Sequence, residues 1–179
     1  MRLRKATPGE FPTIRAFYWR LIDRLSGTPS TIGWKKGIYP SDAFLKESLA
    51  AGELYVMDGQ EGIRASVVAN SRWNEGYEGQ PWILNCTCDE VLVPHALGVA
   101  AEHQGQGIGK AVVRELIRMA RQTGKRTIRL DILGGNIAAE KLYTSMGFQR
   151  IAAARMFYED TGWTEFILYE LPLEEKDRA

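Results

Sequence analysis

The chain has 179 residues, 45% hydrophobic and 25% charged, with a formal net charge of +1. That length suits one domain with a buried core, the composition is ordinary for a globular protein, and the near-zero charge gives no general electrostatic drive towards nucleic acid or a membrane. No apolar run could span a bilayer, the N-terminal MRLRKATPGEF lacks the apolar centre of a signal peptide, and Cys86 and Cys88 are poorly spaced for a relaxed disulfide and lack partners for a zinc site, so the expectation is a cytoplasmic protein with reduced thiols and no metal.

Leu3 and Arg4 open a short strand. Thr7, Pro8 and Glu10 then form a helix start, with a cap, a first-turn proline and a capping box. Phe11, Ile14, Phe17, Tyr18, Leu21, Ile22 and Leu25 continue it at helical spacing. Ser26 to Pro40 is a glycine- and proline-rich loop that also carries Trp34, Ile38 and Tyr39. Ser41 caps a second helix ending at Gly52. The period then falls to two. Glu53 to Met57 and Ile63 to Ala69 are predicted strands, with a turn at Asp58-Gly59. Asn70 to Pro81 is an aromatic loop with Trp73 and Tyr77, Trp82 to Leu84 a further short strand, and Glu90 to Ala100 a central strand. Pro94 removes a ladder donor, so an end, bulge or bend is expected near it.

Next comes HQGQGIGK, His103 to Lys110, and the clearest helix of the chain. Gly109, Val112, Val113, Leu116, Ile117 and Ala120 share one stripe, while Lys110, Arg114, Glu115, Arg118 and Arg121 take the other. Gly124 stops it. In TIRLDI, Ile128, Leu130 and Ile132 alternate with Thr127, Arg129 and Asp131. A short helix runs from Asn136 to Gly147. Phe148 to Tyr158 and Thr164 to Leu171 form a final antiparallel pair around Asp160-Thr161-Gly162. The order implies a single α/β (α+β) domain over residues 1–172 with a mixed sheet, a strand–helix–strand unit from Glu90 to Ile132 at its centre, and a polar tail at 173–179. The last strands offer edges through which two copies could pair.

A glycine-rich turn between a strand and a helix start can gather backbone N–H groups into an anion nest at the positive end of the helix dipole. It can also be only a tight turn with close helix packing. It is not a P-loop, since Lys110 is followed by Ala111, and Gly-x-Gly-x-x-Gly is absent.

The segment Gln104-Gly105-Gln106-Gly107-Ile108-Gly109 resembles the Gln/Arg-x-x-Gly-x-Gly/Ala signature of the GNAT N-acetyltransferase superfamily. Arg129-Leu130-Asp131, Asn136, Ala139, Leu142-Tyr143 and Gly147-Phe148 resemble that family's fifth strand and the helix after it. The likeness runs from Glu90 to Ile151, about a third of the chain. It implies a GNAT-like domain whose central strands splay, a mostly antiparallel mixed sheet, and acetyl-CoA as cosubstrate. Backbone amides of Gln104, Gly105, Gln106, Gly107, Ile108, Gly109 and Lys110 would hold the pyrophosphate. Leu97 and Val99 would offer backbone groups to the pantetheine arm, Asn136 would bond it, Ala139 would leave it room, and Tyr143 would lie near the sulfur. Asn136, Ala139 and Tyr143 also share one helical stripe. Against this, Asn136 can be only an N-cap and Tyr143 only a core aromatic.

Acetyl transfer from a thioester to an amine needs a proton acceptor, N–H donors for the developing oxyanion and an acid for the leaving thiolate. The resemblance gives Val99 N–H and Tyr143 the last two tasks. His95 is the first candidate base, on the side of Leu97 and Val99 if the strand is regular, or else an ordinary strand residue. Glu90 is a second, through water; Asp131 reads as structural. Trp34, Tyr39 and Trp73 are candidates for the acceptor site, with Phe17, Tyr18, Tyr77 and Trp82 as further aromatics, each also explicable as loop packing. The expected reaction is direct transfer to a primary amine of a small-molecule or amino-acid-like substrate. The alternatives are a protein or peptide amine, a non-catalytic acyl-CoA sensor, or a nucleotide-binding protein.

Overall fold

The computed structural model describes residues 2–27 and 33–173. The chain runs β1 (Arg4–Lys5), α1 (Phe11–Leu25), α2 (Asp42–Ala50), β2 (Leu54–Gly59), β3 (Gly62–Asn70), β4 (Val91–Val99), α3 (Ile108–Gln122), β5 (Thr127–Leu133), α4 (Ile137–Ser145), β6 (Gln149–Tyr158) and β7 (Gly162–Pro172). All seven strands join one sheet in the order β1-β2-β3-β4-β5-β7-β6. Every neighbouring pair is antiparallel except β4–β5.

The local signals are realised as chemistry. The Thr7–Glu10 capping box forms, with Thr7 N–H donating to Glu10 Oε2 at 2.8 Å, and a one-turn 3-10 helix over Pro8–Glu10 leads into α1. Ser41 Oγ accepts from Phe44 N–H at 3.1 Å and starts α2. Alternate strand residues divide between two cores. Met57, Ala65, Val67, Leu92, Ile128 and Leu130 meet the apolar stripe of α3, Val112, Val113 and Leu116. Leu54, Val56, Val68 and Ala96 meet Ile14, Phe17, Tyr18 and Leu21 of α1 and Leu45 and Leu49 of α2. The aromatic loop closes a third cluster, Tyr77 against Val91, Val93, Met156 and Phe166.

Three expectations are corrected and one is met. The β2–β3 turn is Gln60-Glu61 rather than Asp58-Gly59, because Gly59 still pairs with Gly62; the irregularity at Met57/Asp58 places one extra residue, Arg64, on β3. Trp82 to Leu84 is not a strand; Ile83 N–H is taken by the buried Glu170 carboxylate and Leu84 O by Arg129, so side chains rather than a ladder hold its backbone. The bulge expected near Pro94 is present, two residues on, at Ala96 (φ 50°). Leu173 belongs to the core rather than to a tail: it is buried, and its N–H donates to Arg126 O at 2.9 Å. Residues 28–32 of the Ser26 to Pro40 loop and residues 174–179 lie outside the described residues.

The bulge at Ala96 shapes the middle of the sheet. Val68 opposes His95, but Ser66 opposes Gly98, so β4 has one residue more than β3. The polar groups this frees are both taken. The Tyr18 hydroxyl, from α1, donates to Ala96 O at 2.9 Å, and Ala96 N–H donates to the Tyr39 hydroxyl. β4 and β5 pair only at Val91–Thr127 and Leu92–Ile128. Beyond that point the two strands diverge, and a gap opens between them.

Candidate active site

Two hollows meet in this gap. A groove of about 670 Å³ runs past Leu97, Gly98 and Val99 of β4, the loop His103–Lys110 and the residues Asn136, Ala139, Leu142 and Tyr143 of α4. A smaller cavity of about 130 Å³ lies deeper, between Pro94–Leu97 of β4 and Leu130–Leu133 of β5, and is closed by Trp34, Tyr39, Tyr158, Asp160, Thr161 and Phe166. Leu97, Asn136, Ala139 and Tyr143 line both. The two hollows therefore adjoin, with Tyr143 in their shared wall.

The groove end gathers backbone N–H groups at a helix start. Gly105 and Gly107 have φ of 75° and 79°, a left-handed backbone that favours glycine. The first bond into α3 is Ala111 N–H to Gly107 O (3.0 Å), so the N–H groups of Ile108, Gly109 and Lys110 stand at an open helix start. Gly109 has another reason. A Cβ there would lie 3.2 Å from Leu142 of α4. The close-packing reading of the glycines thus holds at Gly109. Among the motif residues, Gln106 does not line the groove; its amide donates back to Glu102 O at 2.9 Å.

Strand alternation explains the wall. Ala100 N–H donates to Arg64 O of β3 at 2.8 Å, and Gly98 pairs with Ser66. In an antiparallel ladder the intervening residues point their N–H and C=O the other way, so those of Leu97 and Val99 face the gap. Gln104 Nε2 reaches Val99 O there at 3.2 Å. Asn136 is the N-cap of α4, accepting from Ala139 N–H at 3.1 Å. Tyr143 is buried edge-on against Phe148, and burial holds its hydroxyl above the usual phenol range, so it stays protonated.

His95 departs from expectation. The bulge puts it on the α1 side with Gly98, whereas Leu97 and Val99 take the other face. Its Nε2 lies 3.0 Å from Asn70 Oδ1, which also accepts from Arg72 N–H, while the Asn70 amide nitrogen donates to Glu53. That set of bonds makes Nε2 the protonated nitrogen of a neutral ring, and burial pushes its pKa down to about 4. Glu90 sits at the far end of β4, capping Thr87 and paired with Arg126.

Asp131, read from sequence as structural, lines the inner cavity. Both the Tyr77 hydroxyl (2.7 Å) and the Tyr158 hydroxyl (3.1 Å) donate to its Oδ1. Burial raises its pKa and the two phenols oppose that rise; among the described residues no cation pairs with it. Trp34 and Tyr39 line the cavity as expected. Trp73 does not. It stacks on Tyr77 (6.2 Å, 13°) and sits with Trp82 against the Arg129 guanidinium. Arg129 in turn is buried with Glu170 at 3.0 Å. Sequence reasoning missed Tyr158 and Asp160 as wall residues, because only the sheet order brings β5 and the β6–β7 end together; Tyr77, one of the further aromatics named above, is not in the lining and reaches the site only through Asp131. The alternation of TIRLDI did put Asp131 on the side away from the α3 core.

A model of the Acetyltransferase (GNAT) family matches residues 22–148. The chain belongs to the GNAT acetyltransferase family. It is similar to the N-alpha-acetyltransferase RimI of Mycobacterium tuberculosis, 40% identical over 68 residues (38% of this chain, 41% of that protein). It is also similar to the [Ribosomal protein bS18]-alanine N-acetyltransferase of Escherichia coli, 33% identical over 78 residues (43% and 53%). It thus spans about half the length of these relatives. An acetyltransferase of the GNAT family from Streptococcus agalactiae has the same fold, with a TM-score of 0.81 at 15% identity, over 97% of this chain and 96% of that one. A GNAT phosphinothricin acetyltransferase from Sinorhizobium meliloti, solved with AcCoA, superposes with a TM-score of 0.67 at 21% identity, over 97% and 88%. The single splayed, mostly antiparallel sheet is thus the GNAT fold. No helix among the described residues is long and apolar enough to cross a membrane, and no group of three or more His, Cys, Asp or Glu among them could hold a metal ion.

Proposed function

We propose that this GNAT chain transfers the acetyl group of acetyl-CoA to a primary amine by direct attack, with both substrates bound at once. The observation that carries the reading is the junction of groove and cavity, where Tyr143 and the backbone of Leu97 and Val99 meet the chamber that holds Asp131. Acetyl-CoA supplies the activated acetyl group. The open N–H groups of Ile108, Gly109 and Lys110, with the loop from Gln104, suit its pyrophosphate, and the gap-facing groups of Leu97 and Val99 suit an extended arm.

Val99 N–H donates to the carbonyl oxygen as negative charge grows there. The amine nitrogen forms its bond to the acetyl carbon and gives up a proton as the carbon–sulfur bond breaks. Asp131, rather than His95, accepts that proton, directly or through water: both line the inner chamber, but His95 is committed to Asn70. Tyr143 returns a proton to the departing thiolate. Tyr77 tunes the base: its hydroxyl favours the ionised carboxylate. Tyr77→Phe is therefore expected to raise the Asp131 pKa, moving the acid limb of the kcat/KM profile to higher pH with the alkaline limb unmoved.

A small-molecule or amino-acid-like amine is the acceptor that the sequence favours. A polypeptide α-amine is the second reading, favoured by relatives whose names specify a ribosomal-protein alanine. The cytoplasm, or a compartment equally rich in acetyl-CoA, is the setting this reaction needs. Isothermal titration with acetyl-CoA tests the reading. Wild type should bind below millimolar. Gly107→Trp should not, since a Cβ at Gly107 meets nothing within 4 Å and the indole would project beside the open helix start; the left-handed backbone (φ 79°) costs a non-glycine residue about 1–2 kcal/mol, which the fold should survive by circular dichroism. Binding without thiol release across an amine panel would instead mark a sensor.

A further inference from the structure

The inner cavity has a one-sided polar lining. Its carboxylates are Asp131 and Asp160, and its hydroxyls come from Tyr39, Tyr143, Tyr158 and Thr161. Among the described residues, no lysine or arginine lines it. His95 presents no cation, being neutral and bonded to Asn70. Lys35 lies close enough to Asp160 to favour its ionised form, but Asp131 meets only phenols. Carboxylate, phenol and the Trp34 ring suit an ammonium group or a neutral amine. A second carboxylate brought in beside them would be desolvated with no cation to pair it.

We infer that the acetyl acceptor is a primary amine whose adjacent carbon bears no free carboxylate, such as an amino acid held as an amide, and that free α-amino acids are rejected. This rests on the proposed acetyl transfer in taking the cavity as the acceptor's. The size agrees with a single head group. At about 130 Å³ it is close to an engineered cavity of about 150 Å³ that holds one benzene, so the rest of a longer acceptor stays outside.

The test compares alanine, alaninamide and isopropylamine with the full-length chain and saturating acetyl-CoA. Isopropylamine replaces the carboxylate of alanine by a methyl group and is no less basic, so amine basicity cannot mimic the effect. Expressed per unprotonated amine, kcat/KM for both carboxylate-free amines should exceed that for alanine by at least about a hundredfold, in keeping with the cost of like-charge juxtaposition. A large advantage of alaninamide over isopropylamine would mark an amide-bearing acceptor, and equal values a simple amine. Titration of the CoA-saturated protein gives a second readout: the preference of alaninamide over alanine should shrink at least tenfold in Asp131→Asn. Alanine matching the other two overturns the inference, and so does a preference that Asp131→Asn leaves intact. If none of the three reacts or binds although acetyl-CoA does, the inference falls while the cofactor reading stands. Failure to bind acetyl-CoA sinks the proposed acetyl transfer by itself.

Discussion

Asp131→Asn is expected to lower kcat/KM by about 10²–10⁴-fold, the range that a positioned proton acceptor contributes, with the acid limb of the pH profile lost. The substitution is nearly isosteric. An amide oxygen can still accept from the Tyr77 and Tyr158 hydroxyls that now reach Oδ1, so the wall of the cavity should hold its shape. What disappears is the charge and the capacity to take a proton. His95→Gln is the matched control. A glutamine can keep a donor to Asn70 Oδ1, now 3.0 Å from the imidazole, and activity should change by no more than a few-fold. Steady-state rates of thiol release over a pH series check both. If Asp131→Asn keeps wild-type rates and His95→Gln collapses, the base returns to His95.

The second large effect is on stability. Arg129→Met should destabilise the protein by about 3–5 kcal/mol, the cost of leaving one partner of a buried ion pair uncompensated. Arg129 and Glu170 are 4% and 0% exposed at their side chains and 3.0 Å apart. Glu170 also accepts from the Thr127 hydroxyl and Ile83 N–H, and Arg129 lies 4.5 Å over the Trp82 ring. Without Arg129, the carboxylate must protonate or draw in water, and the aromatic loop loses the cation it lies against. Arg129→Met with Glu170→Met should recover most of the loss, since an apolar pair of similar volume needs no mutual neutralisation. Recovery stays incomplete because Ile83 N–H loses its acceptor. Urea midpoints of the two variants decide it. A double variant as unstable as the single one would mean that the guanidinium's packing on Trp82, not its charge, dominates.

These two sites differ in how far the sequence discloses them. The glycine loop is legible because its information is local: left-handed glycines, an open helix start and an amphipathic α3 all fall within about twenty residues, the span of one turn and one ordinary helix. The alternation in TIRLDI likewise separates Ile128, Leu130 and Ile132 from Arg129 and Asp131. It does not say what the second set faces. Asp131 acquires its meaning from Tyr77, 54 residues before it, and Tyr158, 27 after it. Glu170 reaches Arg129 only because β7 inserts between β5 and β6. His95 misleads for a subtler reason: Pro94 signals a distortion, but its place at Ala96 is set by Tyr18 and Tyr39, which no local pattern relates to β4. Trp73 illustrates the opposite error, an aromatic whose surroundings are packing rather than ligand.

The extra residue at Ala96 has an evolutionary side. Its removal would leave His95 opposite Val68, Leu97 opposite Val67 and Gly98 opposite Ser66, a regular ladder with every side chain on its present face. The same chain, one residue shorter, could keep its hydrophobic cores and its strand order while losing the local bend that a bulge imposes just where β4 leaves β5. A single in-frame codon deletion thus separates the heritable fold from the slot it carries. A lineage could shed the chemistry without passing through an unfolded ancestor, and regain it by one insertion.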